Sequence, residues 1–439
     1  MAAKLSPING FHPVFQEAIC LFLIISSPLV CLLYWIAYEY YEASLSDTVL
    51  AIRSAKDIIG FVVDRIPRPT LASSLAYLGW VVYQAALYQY APGPLHIAPR
   101  TPGGRRLSYR LNGLTAWALT LFTALAASKI FNIELSWIAK HWGQLLASAN
   151  LYCAVLIAIF RYKSKTWPDN HGETISMDGF WRDLMNGGEL HPRTGELFDW
   201  KHFNASRTGG ILLWTLIDLS FAAWQYELHG FVSNCMIIVV IFRLVVVTEF
   251  FWFENWFLET LDGSHERFSF YSIYGFAGMM PHLWTLQSQY LAIHPVSLSK
   301  AKVVMTVIFF VIGWAGRHFV DQQKSVVKAT NGYCTIWWNK PRIIRTKYTT
   351  SDGKSHEVVI LGFWGIARHL NYVGSVIYTW ASCFACGTDS FFPYAEAVVM
   401  TLMCIHRCHR DEARCQEKYG KAWDEYCREV PWRMVPGLY

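Results

Sequence analysis

The sequence predicts an all-α polytopic membrane protein of about ten transmembrane helices with a small cytosolic β-hairpin. Three observations predict it. Of the 439 residues, 53% are hydrophobic and only 16% charged, where a soluble globular chain carries about 25% charged residues. Trp and Tyr number 20 and 23, and such amphipathic aromatics collect at membrane–water interfaces. Apolar runs near the roughly 20-residue length that spans a bilayer core recur along the chain.

These runs cover residues 18–38, 71–90, 114–130, 145–160, 211–224, 232–251, 268–293, 301–314, 372–387 and 392–405. The first is too long for the apolar region of a cleavable signal and reads as a span. Several others are short or interrupted by polar residues. Such interruptions are tolerated only against protein or a water-filled cavity, so a site buried among the later helices is expected. The loops after the second, fourth and eighth runs, together with the tail, hold most of the Lys and Arg. Positive-inside bias then puts both termini in the cytosol. The net charge of +6 reads as this topology signal; no nucleic-acid-binding motif accompanies it, and no such partner is expected. Eleven cysteines are scattered through apolar segments. Cys383 and Cys386 form a C-x-x-C without a second pair, so they read as packing residues, and no metal site is expected. Residues 342–360 predict the hairpin, with Thr, Tyr and Val flanking a turn at Ser351-Asp352-Gly353-Lys354.

Two polar blocks carry the candidate chemistry. The first, EFFWFENWFLETLDGSH, places Glu249, Glu254, Glu259, Asp262 and His265 beside apolar runs. Acids near hydrocarbon are costly and face a bundle interior or a cavity. A solvated loop is the plainer reading for Glu259 and Asp262, whereas Glu254 is hemmed in by Phe and Trp. The second block is GFWGIARHLNY, resuming at His406 with Arg407, Arg410, Asp411, Arg414 and Lys418. Arg368 and the later basic groups suit phosphates, which arginine grips bidentately. Trp364, Tyr372, Tyr419 and Tyr426 offer ring faces to a base. A positive-inside tail with interfacial aromatics would account for the same residues, and charge alone does not separate the two. No G-x-G-x-x-G follows a predicted strand, so a Rossmann cofactor site is not expected.

The tail HRCHRDEARCQEKYGKAWDEYCREVPWRMVPGLY resembles the C-terminal signature of the membrane sterol reductase family, which includes sterol C14, C24(28) and 7-dehydrocholesterol reductases and the lamin B receptor. WTLIDLSFAAWQ, TLQSQYLAIHPV and the run from Tyr348 through GFWGIARHLNYVG resemble the 7-dehydrocholesterol reductase branch. The resemblance runs from Asp183 to Tyr439. It implies N-terminal transmembrane helices over 1–160, a catalytic region over 161–439, and residence in the endoplasmic reticulum membrane. By position it implies NADPH contacts at Lys324, Lys328, Trp364, Asn371, Tyr372, Asp411, Cys415, Gln416, Glu417, Lys418, Tyr419 and Tyr426. The chain departs from the family pattern at several positions. Lys328 stands for an arginine, His191 for the asparagine of an Asn-Pro-Arg motif, and Val246 where relatives often carry a tyrosine. Glu249 and Asn255 each stand where an aspartate is usual.

The implied reaction is NADPH-dependent reduction of a sterol ring double bond, most readily the Δ7 bond of a 5,7-diene. An isolated alkene is a poor hydride acceptor, so protonation comes first, and a conjugated diene then yields a delocalised allylic cation. Burial keeps the required acid protonated near neutrality. The candidates for proton delivery are Glu254 and Asp411, with Tyr290 or His265 as a relay; Glu254, His265 and Tyr290 are also the expected substrate contacts. Two alternatives stand beside this reading: action on another double bond of a sterol or polycyclic terpenoid, and a non-catalytic sterol-binding membrane scaffold.

Overall fold

The computed structural model describes residues 12–336, 338, 340–341, 343–349, 355–360 and 365–439. The predicted apolar runs are largely helical, with the one at 268–293 broken. Among the described residues, five helices are long and apolar enough to cross a bilayer, at Pro13–Tyr40, Gly113–Phe131, Trp142–Thr166, Asn234–Trp252 and Lys300–Val327. The remaining runs form helices that are shorter or more polar. Phe22, Leu29, Phe122, Leu125, Ile308 and Ile312 are exposed on three of the five, an apolar surface of the kind lipid covers.

The chain forms two compact units. The larger comprises Pro13–Ser297 with Cys386–Ala395. Its long helices are α1 (Pro13–Tyr40), α2 (Leu71–Tyr90), α3 (Gly113–Phe131), α4 (Trp142–Thr166), α5 (Ile211–His229) and α6 (Asn234–Trp252). Local chemistry sets their ends. Thr70 and Ser73 form a reciprocal capping box at the start of α2, satisfying amide groups that have no intrahelical partner. Ser233 caps α6 by accepting from the Met236 amide. Helix α5 stops at Gly230, whose φ of 77° is left-handed, the conformation that closes a helix without a Cβ penalty.

The run at 268–293 departs from the single span expected of it. It divides into Phe270–Tyr274, a π-turn at Gly275–Met279, Met280–Leu283 and α7 (Leu286–Ile293). Pro281 lacks an amide hydrogen and cannot continue the helical ladder, and the wide turn lies just before it. In α7, Gln287, Ser288, Gln289 and Tyr290 are all buried, so this polar stretch packs against protein. Asp218 of α5 accepts from Arg243 Nε of α6 at 2.9 Å and from Ser288 Oγ of α7 at 2.6 Å. Arg243 also donates to the Trp284 carbonyl. In a bundle where lipid is as apolar as leucine, such bonds and close packing hold helices together.

Three two-stranded sheets join the helices of this unit: β1 (Leu95–Ile97) with β2 (Ser108–Arg110), β3 (Thr174–Ile175) with β4 (Gly188–Glu189), and β5 (Arg193–Thr194) with β6 (Phe198–Asp199).

The smaller unit contains α8 (Lys300–Ala329), α9 (Leu370–Phe384), α10 (Ala395–Tyr419) from Glu396 onward, and α11 (Lys421–Glu429). Helices α8 and α9 touch through glycine. A Cβ on Gly374 would lie 2.6 Å from the Gly313 carbonyl oxygen, so only the absence of side chains allows this backbone approach. Strands β7 (Ile344–Thr349) and β8 (Ser355–Ile360) pair antiparallel, with Ile344 opposite Ile360 and Thr349 opposite Ser355. The predicted turn at 351–354 lies outside the described residues, as do Trp364 and the Lys328 side chain.

Candidate functional site

Two clusters contain the residues singled out above, one in each unit. In the larger unit the cluster is built on Asp199, at the end of β6. Its Oδ1 accepts from the amides of Lys201 and His202 at 2.9 and 3.0 Å. Its Oδ2 accepts from Tyr109 Oη at 2.7 Å and from His191 Nδ1 at 2.9 Å. Burial would raise this carboxyl, but the bond from His191 and the charges of Lys201 and Arg193 outweigh it and hold the group far below the usual carboxylate range. Burial, aided by the Lys201 charge, lowers His191, while its bond to Asp199 opposes that shift. Lys201 Nζ donates to the carbonyls of Gly263 and Glu266 at 2.9 and 2.8 Å. Burial pushes that amine down to about 8 despite the charges of Asp199 and Glu266.

Beside it lies Glu254. Its Oε1 is 2.5 Å from Arg207 Nη2, and its Oε2 accepts from the Gly113 amide at 2.9 Å. Both side chains are almost wholly buried. Arg207 Nη2 also donates to Asn112 Oδ1 at 3.2 Å, and the guanidinium stands over the rings of Tyr88 and Phe251. Gly113 is required here because a Cβ would lie 2.2 Å from Phe251 Cδ1. His202 completes the group, with Nδ1 2.9 Å from Tyr88 Oη and Nε2 3.5 Å from Glu254 Oε1. Burial pushes this imidazole down to about 4. The arrangement ties the starts of α3 and of the 254–266 segment to the turn before α5. Glu254 serves as a counterion in it.

The other acids of the first block divide by exposure. Glu259 is exposed, as the solvated-loop reading expects, while Glu249 and Asp262 are buried. Tyr290, on α7, lies at a tilt against the rings of His294 and Phe392. His265 caps a short helix through its amide and accepts from Arg267 Nη1 at 3.0 Å through its carbonyl.

In the smaller unit the cluster is built where α8, α9 and α10 meet. Tyr372 Oη donates to Asp411 Oδ2 at 2.5 Å. The His369 ring stacks on Tyr372, 5.4 Å between centroids and 4° from parallel. Asn371 Nδ2 donates to Asp321 Oδ1 on α8 at 3.0 Å, and Asn371 Oδ1 is buried without a hydrogen-bond partner among the described residues. Lys324 lies one turn beyond Asp321 and is exposed. Its charge acts on both His369 and Cys415. At 3.6 residues per turn, Asp411, Cys415, Lys418 and Tyr419 share one side of α10, and Gln416 and Glu417 point elsewhere. Both of the latter are exposed. Tyr426 is buried against Trp423, Val430 and Ile344, with Cys415 and Tyr419 at the edge of that group. An orphaned amide acceptor, a Tyr–Asp pair, exposed Lys324 and the basic side of α10 are the donors and acceptors that a phosphate-bearing cofactor with a carboxamide requires. The residues fit a nicotinamide cofactor.

Arg368, which suited a phosphate when read from charge alone, has another occupation. It is buried and bonded to Glu412.

Sequence reasoning missed Arg207 and the Asp218–Arg243 pair. A signal for both exists: a buried acid in an aromatic run needs a cation, and a lone arginine inside IVVIFRLVVV needs an acid. Glu412 was overlooked for its neighbour Asp411.

Comparison with known proteins identifies the family. The family described as Ergosterol biosynthesis ERG4/ERG24 matches residues 16–439. That extends the resemblance, legible in the sequence only from Asp183, back through the N-terminal helices. The chain is 38% identical to the 7-dehydrocholesterol reductase of Xenopus laevis, over 97% of this chain and 93% of the relative. It is 34% identical to that of Danio rerio, over 94% and 89%. It is 32% identical to the Delta(14)-sterol reductase of Methylotuvimicrobium alcaliphilum, over 95% and 94%.

Proposed function

The chain belongs to the ergosterol biosynthesis ERG4/ERG24 family of sterol reductases, and from that premise we propose that it reduces the Δ7 double bond of a 5,7-diene sterol with NADPH. The observation that carries the reading is the Tyr372–Asp411 pair at 2.5 Å on the side of α10 shared with Cys415 and Lys418. The preference for Δ7 rests on the 7-dehydrocholesterol reductases at 38% and 34% identity. The distribution of its Lys and Arg supports both termini being cytosolic, and the family resemblance supports residence in the endoplasmic reticulum membrane.

Lys324, Lys328, Asn371, Cys415, Lys418 and Tyr419 would hold the cofactor, with Trp364 and Tyr426 flanking it. When bound, the reduced nicotinamide would supply the hydride. The chain's own residues supply the proton and its position. Tyr372 holds a hydrogen toward Asp411 Oδ2, so the pair can keep and release a proton between those two oxygens. Protonation of one diene terminus leaves an allylic cation, and the Asp411 carboxylate stabilises the developing positive charge. Proton delivery is assigned to this pair in preference to Glu254, whose carboxylate already neutralises Arg207. It is also independent of position 246, where a tyrosine is common in relatives and this chain has Val246. Tyr290 and His265 belong to the larger unit and are given no part in this proton delivery.

Reduction at Δ14 is the second reading, favoured by the similarity to a Delta(14)-sterol reductase over 95% of this chain. Membranes from cells expressing the chain, supplied with 7-dehydrocholesterol or a Δ8,14-sterol and either NADPH or NADH, would be extracted and examined by GC–MS. Cholesterol formed with NADPH is the expected result. A product only from the Δ8,14-sterol would favour the second reading. NADPH binding without product from either would point to a sterol-binding scaffold.

A further inference from the structure

Glu412 follows Asp411 in sequence but occupies a different side of α10. Its two carboxylate oxygens receive two arginines. Oε1 accepts from Arg368, at 2.8 Å from Nε and 2.7 Å from Nη2, and Oε2 accepts from Arg433 Nε at 2.8 Å. The Arg368 Nη1 donates onward to the carbonyls of Val430 and Pro431 at 2.7 and 3.0 Å. The backbone closes the same connection: the Arg368 amide donates to the Trp432 carbonyl at 3.0 Å, and the His369 amide to the Arg433 carbonyl at 2.8 Å. Residues 368–369 are thus fixed from both sides just before α9 begins. His369 is where the ring stack on Tyr372 starts, and Tyr372 donates to Asp411.

We propose that Glu412 is a positioning residue of the cofactor site: through Arg368 it fixes the 368–369 backbone, and thereby the Tyr372–Asp411 hydrogen bond. The inference rests on the functional reading above. It assigns unlike duties to adjacent acids, with Asp411 facing the reacting groups and Glu412 facing away from them. It also assigns unequal weight to the two arginines. Arg368 is buried and its guanidinium bonds to three acceptor atoms, whereas Arg433 is over a third exposed, and exposed ion pairs contribute little.

The test is a set of variants in purified, detergent-solubilised full-length protein: Glu412→Gln, Arg368→Gln, the double variant, and Arg433→Gln. Three quantities are read: NADPH affinity by tryptophan-fluorescence quenching, turnover, and hydrogen–deuterium exchange of the peptide holding residues 365–372. Glu412→Gln and Arg368→Gln are each expected to lower kcat/KM for NADPH about tenfold and to speed exchange at residues 368–369. The double variant should lose no more than either single one, because both break one connection. Arg433→Gln should stay within about twofold. Unchanged NADPH affinity and exchange in Glu412→Gln would overturn the proposal, as would single losses that multiply in the double variant. A wild-type protein that binds no NADPH would instead overturn the functional reading, while the exchange measurement would still judge the fixing of residues 368–369.

Discussion

Glu254 and Asp411 are both acids beside basic and aromatic residues, yet the two clusters are built on opposite plans. At Glu254 the carboxylate itself meets the arginine, and both oxygens are taken by groups of the fold, Arg207 and the Gly113 amide. At Asp411 the neighbouring Glu412 takes Arg368 and Arg433, and Asp411 accepts from the Tyr372 hydroxyl. One acid neutralises an arginine; the other, bonded to a hydroxyl, is the one for which proton delivery is proposed. Proximity of charge is common to both, and what distinguishes them is which acid absorbs the cation.

The largest effect should come from breaking the first plan. Arg207→Ala leaves the Glu254 carboxylate buried and unpaired, which costs roughly 3–5 kcal/mol. Thermal unfolding in detergent should show a large fall in Tm, or little folded protein at all. Survival of Arg207→Ala with an unchanged Tm would mean that the pair does not hold the three segments together.

The same cluster should impose a pH dependence on the fold. Burial pushes His202 down to about 4 from its usual 6.5. Between those values the unfolded chain binds more protons than the folded one, so stability is complete above the higher value and is lost as pH falls toward the lower. The loss amounts to roughly 3 kcal/mol at full extent. His202→Gln keeps a partner for Tyr88 and cannot titrate. Unfolding midpoints compared at pH 7 and about pH 4.5 should therefore fall less in the variant than in the native chain. Parallel falls would show that other groups govern the acid limb.

Asp411→Asn tests the second plan. Its shape is preserved and the Tyr372 hydroxyl keeps an acceptor, so Tm should change little. Turnover should drop about 100-fold, the lower end of what general acid–base catalysis contributes. A large loss of Tm with proportionate loss of activity would return Asp411 to the same class as Glu254.

Most of the helical framework was legible because hydropathy reports burial in lipid or protein directly. The run at 71–90 became α2 with the same ends. The run at 268–293 was apolar enough to read as one span, yet averaging over it conceals Gly275, Gly278 and Pro281, and the chain breaks there. Orientation of polar side chains was less legible. Glu254 was rightly singled out as buried, but what it meets depends on Arg207, 47 residues away in sequence, and no local pattern fixes such a pairing. For the same reason Arg368 read as a phosphate ligand until its contact with Glu412 across 44 residues was in view.

The smallest expected effect sharpens the cofactor side of the comparison. The family resemblance implies contacts at every residue from Cys415 to Tyr419, but a helix turns about 100° per residue and cannot present five consecutive side chains to one ligand. With Asp411 as reference, Cys415, Lys418 and Tyr419 fall on its side, whereas Gln416 and Glu417 are exposed on others. A cofactor gripped by side chains along the Asp411 side should therefore be insensitive to Gln416→Ala and Glu417→Ala, with NADPH affinity within about twofold of the native chain, the range of ordinary surface substitutions. Lys418→Ala should weaken binding severalfold, by removing a charge-assisted contact to phosphate. Titration of all three variants with NADPH decides between a contact made along a helix side and one made by a contiguous stretch. Equal losses at 416, 417 and 418 would require the end of α10 to unwind around the cofactor, and the Asp411 side would then no longer define the site.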